Sequence, residues 1–146
     1  MNSMTESEEL FLIDSNLLVY AYEKEGSAKK EKAKELLNEC LSGERQFAIS
    51  SQNLSEFVSA TTRKGKLSIE EARNFVIKLS KFEGFRKINY RVETIPIALE
   101  FVQQFKASFW DSLLAATMRK NGIFNIYTEN VKDFKMPWIN AVNPLI

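Results

Sequence analysis

Acidic side chains recur along this chain at positions where a folded sheet would gather them. Asp14 directly follows the apolar run Leu10-Phe11-Leu12-Ile13, and Glu56 lies about a turn and a half into the segment after Gln46–Ser50. Asp111 opens a late helical segment, and Glu129, Asn130 and Asp133 follow Phe124–Thr128. In an open parallel sheet ligands bind beyond the C-terminal strand ends, so acids just after strands, or early in the next helix, are candidates to converge. A like-charged pair about 4 Å apart repels by roughly 4 kcal/mol at an effective dielectric near 20. Such a cluster takes up protons or binds a cation. Carboxylate oxygens and water are the ligands that Mg²⁺ and Mn²⁺ prefer, and those ions retain waters that can become nucleophiles near neutral pH.

The chain has no histidine. That excludes Cys/His zinc sites, Ser-His-Asp triads and histidine bases, so any hydrolytic chemistry rests on carboxylates, hydroxyls or lysines. With 20 basic and 19 acidic residues the net charge is +1, and nothing global draws the protein to nucleic acid or membrane. Local patches would have to do so. Arg63-Lys64-Gly65-Lys66, beyond the helix of Glu56, and Arg119-Lys120, beyond the helix of Asp111, are the candidates to meet phosphates. Both also stand near helix C-termini, where basic residues are favoured in any case. Lys29, Lys30, Lys32 and Lys34 alternate with Glu31 and Glu35 as a solvated face with local ion pairs would. Tyr20, Tyr22 and Trp110 have faces that stack on unpaired bases, but packing in the core or an interface is the plainer reading.

The elements that must position these residues follow from apolar spacing. At 146 residues one domain is expected. Met1–Glu9 reads as a polar tail without the features of a secretory signal, and residues 10–146 as the domain. No apolar run approaches a membrane span, so a soluble cytoplasmic protein is expected. Leu10–Ile13, Gln46–Ser50, Phe124–Thr128 and, more weakly, Phe85–Tyr90 and Ala141-Val142 read as strands. Helices are predicted over Leu17–Lys24, Ala28–Leu41, Ser51 as cap to about Arg63, and from a capping-box pattern at Ser68–Glu71. Two more span about Ile97–Lys106 and Trp110–Lys120, the second stopped by Asn121-Gly122. Cys40 belongs to the apolar face Ala33, Leu36, Leu37, Cys40, Leu41. Short strands alternating with amphipathic helices imply an α/β fold with a mostly parallel sheet and helices on both faces.

Leu12-Ile13-Asp14-Ser15-Asn16-Leu17-Leu18-Val19-Tyr20 resembles the opening strand and helix of PIN domains. Ser55-Glu56-Phe57 is similar to their second acidic motif, and Phe109-Trp110-Asp111-Ser112-Leu113-Leu114-Ala115-Ala116 to the third. Ile126–Phe134 and Val142-Asn143-Pro144 resemble the closing segments, so the likeness runs from about residue 10 to the end, nearest in character to the VapC toxin ribonucleases. It implies a three-layer α/β/α fold and a Mg²⁺- or Mn²⁺-dependent ribonuclease whose metal is held by Asp14, Glu56 and Asp111. Ser15, Asn16 and Thr128 would support that centre. The family often places Asp where Asn130 stands, so Glu129 or Asp133 would substitute, or three acids would suffice. The likeness further implies a homodimer and an antitoxin partner. Three other readings compete: a non-toxin PIN nuclease in RNA processing, a phosphatase or phosphoacceptor domain with a nucleophilic Asp14, against which Asn16 speaks, and a PIN-like module that binds RNA or a partner without cleaving.

Overall fold

The computed structural model describes residues 10–22 and 26–146; the predicted tail Met1–Glu9 and the end of the first predicted helix lie outside them. The chain runs β1 (Phe11–Ile13), α1 (Ser15–Ala21), α2 (Ala28–Leu41), β2 (Phe47–Ser50), α3 (Ser51–Arg63), α4 (Ile69–Lys81), β3 (Phe85–Ile88), α5 (Thr94–Phe105), α6 (Phe109–Lys120), β4 (Asn125–Tyr127), a 3-10 turn (Val131–Asp133) and β5 (Asn140–Val142). The strands form one sheet in the order β3-β2-β1-β4-β5. Every pairing is parallel, which sharpens the expected mostly parallel sheet to a wholly parallel one.

A central strand with helices over both faces must be apolar along its whole length. β1 meets this condition, with Leu12 and Ile13 fully buried. Successive side chains point to opposite faces. Ile13, Phe47, Ile49 and Phe85 accordingly join the core under α1–α4, with Leu17, Leu18, Leu36, Leu37, Phe57 and Phe75. Leu12, Ala48, Ile88 and Ile126 join the opposite core, with Leu114 and Met118 of α6. α5 packs outside that layer through Ala98 and Phe101 against Leu113 and Ala116. Cys40 is fully buried, as its helical spacing requires.

Polar caps place the helix starts. Ser27 caps α2, Ser68 and Glu71 form a reciprocal capping box on α4, and Gly122 supplies a left-handed residue (φ 70°) after α6. Two boundaries differ from expectation. α3 is capped by Ser50 rather than Ser51, in a box with Asn53. α5 begins at Thr94, three residues before the predicted start, because Pro96 falls in its first turn, where a missing N–H breaks no helical hydrogen bond. Among the described residues, no helix is long and apolar enough to cross a membrane.

Phe47 is completely buried, edge-on to Tyr127 (6.0 Å between ring centroids) and covered by the Arg45 guanidinium at 4.7 Å. Phe47→Ala is expected to cost about 3–5 kcal/mol of stability, whereas Ile69→Ala, at a position 72% exposed, should stay within about 0.5 kcal/mol. Urea unfolding midpoints measure both; similar shifts for the two would contradict this description of the core.

Candidate active site

The chain passes from β1 outward to β2 and β3, then returns across the sheet to place β4 on the other side of β1. That reversal opens a crevice beyond the ends of β1 and β4, where open α/β sheets bind their ligands. Asp14 and Thr128 are the first residues past those two strands. The register pairs Ile13 with Tyr127, so one more step sets Asp14 beside Thr128. Asp14 N donates to Tyr127 O (3.0 Å), and Thr128 Oγ1 donates to Asp14 Oδ2 at 2.7 Å.

Asp14 is 9% exposed and is also the N-cap of α1, its Oδ1 accepting from Ser15 N at 2.7 Å. Asn53 Nδ2 reaches the same oxygen at 3.3 Å, from an amide turned by the Ser50–Asn53 capping box. Asn16 Nδ2 lies 3.5 Å from Oδ2 and 3.4 Å from Thr128 Oγ1. Asn130 N donates to Thr128 Oγ1 (3.0 Å), orienting that hydroxyl toward Asp14. Burial nevertheless dominates and pushes the Asp14 pKa up to about 6; the hydrogen bonds from Thr128 and Ser15 oppose it, and the charges of Glu56 and Asp111 add to it.

Glu56 and Asp111 are half-buried. Ser15 Oγ donates to Glu56 Oε1 at 3.1 Å, so one residue touches both the cap of α1 and the acid of α3. Asp111 sits in the first turn of α6, where Ser108 caps the helix and donates from Oγ to Asp111 Oδ2 at 2.9 Å. Gln52 Nε2 donates to Trp110 O (2.9 Å), fastening the start of α3 to the start of α6. Desolvation raises the pKa of both acids; the Asp111 charge also raises Glu56, and the Asp133 charge also raises Asp111.

The two candidates for a fourth acid part company. Glu129 turns away into an ion pair with Lys29 (2.6 Å) and accepts from Tyr20 Oη at 2.9 Å, and Lys29 holds its carboxyl below the usual range. Asp133 stays exposed and bears electrostatically on Asp111. Lys29 thus pairs across the fold rather than only along its own helix. The basic candidates are not brought to the acids: Arg63, Lys64 and Lys66 lie at or beyond the far end of α3, and Arg119 and Lys120 at the far end of α6. Eight residues separate Asp111 from Arg119, about 12 Å at the helical rise, and Arg119 covers the Trp138 ring at 4.7 Å.

A divalent cation suits this donor set, which is made of carboxylate oxygens that burial and mutual repulsion leave short of compensating positive charge. Among the described residues no three acidic side chains close into a cage of protein ligands as placed. Mg²⁺ does not require one, since it keeps several waters and takes one or two carboxylates. Asn53, Ser108 and Gln52 are site residues that sequence reasoning passed over. Ser108-x-x-Asp111 carried a readable cap signature; the amide contacts of Asn53 and Gln52 depend on tertiary packing.

The family model of the PIN domain matches residues 11–135. No curated protein matches the chain. Among solved structures, a toxin–antitoxin complex from Klebsiella pneumoniae superposes with a TM-score of 0.65 at 23% identity, over 92% of this chain and 97% of that one. VapC20 of Mycobacterium tuberculosis, a toxin that cleaves the sarcin–ricin loop, gives 0.63 at 23% identity, over 88% and 92%. VapBC2 from Rickettsia felis, bound to promoter DNA, gives 0.62 at 18% identity, over 92% and 98%. At these identities the likeness is one of fold.

Folding raises the Asp14 pKa from 3.8 to about 6. Between those values the native protein binds more protons than the unfolded chain, so metal-free stability falls as pH rises through that window. Asp14→Asn cannot ionise and is expected to be more stable than wild type in EDTA at neutral pH, by up to about 3 kcal/mol at ~1.4 kcal/mol per unit. The advantage should vanish below about pH 4, near the unfolded pKa. Urea unfolding at both pH values reads the difference; no gain at neutral pH would show that the buried charge is compensated.

Proposed function

Since the chain belongs to the PIN domain family, we propose that it is a metal-dependent endoribonuclease working at the crevice between β1 and β4, and the toxin half of a toxin–antitoxin pair. One observation carries the reading. The buried Asp14 stands at the switch point of the sheet, with the charges of Glu56 and Asp111 bearing on it. Asp14, Glu56 and Asp111 would hold Mg²⁺ or Mn²⁺, with Asp133 the better placed fourth acid and Glu129 committed to Lys29. When bound, the ion would polarise a phosphoryl oxygen and lower the pKa of water.

The chain's own residues do the rest. Thr128, Ser15, Asn16 and Asn53 hold the Asp14 carboxylate in one orientation, as partners behind a metal ligand do. Without histidine, the proton of the attacking water would pass to a carboxylate, a hydroxyl, a lysine or bulk water. Ser15 fixes Glu56 through Oε1, which sets the direction in which that carboxylate faces the centre. RNA as substrate is supported by VapC20, a toxin of the same fold that cuts the sarcin–ricin loop. An antitoxin partner is supported by the complexes from Klebsiella and Rickettsia, and a homodimer belongs to the same reading.

Cleavage of a mixed RNA panel with Mg²⁺, Mn²⁺ or EDTA tests this. Asp14→Asn and Asp111→Asn should each lower cleavage at least about 100-fold and Thr128→Val about 10-fold, the scale seen when groups that orient metal ligands are lost. EDTA should abolish cutting. Chelator-resistant cleavage, or full activity in Asp14→Asn, refutes the reading; RNA binding by wild type without cleavage in either metal would instead establish a binding module.

A further inference from the structure

Glu56 forms one wall of a cleft that extends away from Asp14 along α3. The cleft has a volume of about 590 Å³ and lies between α3, the segment after β3 and the first turn of α6. Two aromatic side chains line it, Tyr90 and Trp110. Trp110 is 57% exposed, although bulky rings are normally buried, and it meets Phe109 edge to face at 5.1 Å between centroids. Its backbone carbonyl accepts from Gln52 Nε2, so the ring stands on a helix turn already pinned to α3.

The remaining lining is polar and, apart from Glu56, uncharged. Ser55 and Ser59 present hydroxyls from successive turns of α3, and Gln52 and Asn89 present carboxamides. Gln52 is 8% exposed, and its Oε1 is buried with no hydrogen-bond partner among the described residues. With no lysine or arginine in the lining and a carboxylate at one wall, the cleft is unsuited to a phosphate. It suits a flat, uncharged group with a hydrogen-bonding edge, which describes a nucleobase: aromatic rings take its face and amides and hydroxyls its rim.

We propose that this cleft receives an unpaired base of the RNA, stacked on Trp110 and adjacent to the phosphodiester cut at the carboxylates, and that it sets which sites are cleaved. The assignment rests on the nuclease reading above and adds the form of the substrate, a single-stranded segment with one base turned out. Trp110 is a specificity-determining residue here, not a catalytic one.

The test uses the full chain. In the Asp14→Asn background, a pool of short single-stranded RNAs should quench tryptophan fluorescence. Trp110→Ala should remove that quenching and weaken binding, read by anisotropy of labelled RNA, about 5- to 100-fold, the range for loss of one base–aromatic stack. Trp110→Phe should restore most of the affinity. Ser59→Phe, which fills the cleft from an exposed position of α3 and leaves Trp110 in place, should reproduce the loss and also decides the matter if Trp110→Ala fails to fold. With Asp14 intact, Trp110→Ala should raise KM more than it lowers kcat and flatten the preference among cut sites. Unchanged binding, KM and cut pattern in folded cleft variants overturn the proposal while leaving the nuclease reading intact, provided Asp14→Asn still abolishes cutting. Trp110-dependent binding by a wild type that cuts no RNA has the opposite meaning: the nuclease reading fails and the base cleft stands. If Trp110→Ala converts a dimer to a monomer by sedimentation, the face belongs to a second copy and the proposal is overturned.

Discussion

The Asp14 carboxylate is removed from water at the end of the central strand, and much of the fold can be understood as what makes that tolerable. Burying a carboxylate without partners is expensive enough that the group would normally stay protonated. Here donors arrive from three directions: Ser15 and Asn16 from α1, Asn53 from α3, and Thr128 from beyond β4. They offset the cost without cancelling it, since burial still lifts the pKa to about 6. The residual deficit is electrostatic, and Glu56 and Asp111 deepen it. A carboxylate in this condition takes up a proton more readily than one in water, and the packing of the strands on either side sets that condition.

Helix starts provide the economy of the arrangement. Asp14 caps α1 and Asp111 lies in the capped first turn of α6, so each carboxylate is held by the device that begins its helix. Ser15 and Ser108 then direct hydroxyls at Glu56 and Asp111. The same side chains therefore serve local folding and site geometry. For Asp14, the reading of the residue as a cap holds, and that role leaves its second carboxylate oxygen facing Thr128.

Much of this was readable beforehand because it is written in local signals. Apolar runs before Asp14 and Thr128 marked the strands, the Ser68–Glu71 pattern marked one cap, and Ala28–Leu41 was delimited to the residue. The start of α5 was not legible because its apolar face, Ala98 and Phe101, begins a turn after Thr94. The pairing of Glu129 was not readable, since its partner Lys29 stands 100 residues earlier in the chain. The contacts of Asn53 and Gln52 were hidden for the same reason. Arg63, Lys64, Lys66, Arg119 and Lys120 were singled out by composition, yet a helix leaving a strand end carries its last turn away from the crevice. Proximity in sequence to a helix with a site acid did not mean proximity in space.

The bond between Thr128 and Asp14 spans 114 residues, and it joins the first strand to the fourth. No shorter stretch of chain can make it. A polypeptide emerging from the ribosome holds Asp14 without this partner until β4 has been made. Contacts of such long range also form late when a complete chain folds. The Asp14–Thr128 contact therefore cannot form in a product truncated before β4, and it is absent from any folding intermediate in which β4 has yet to dock beside β1.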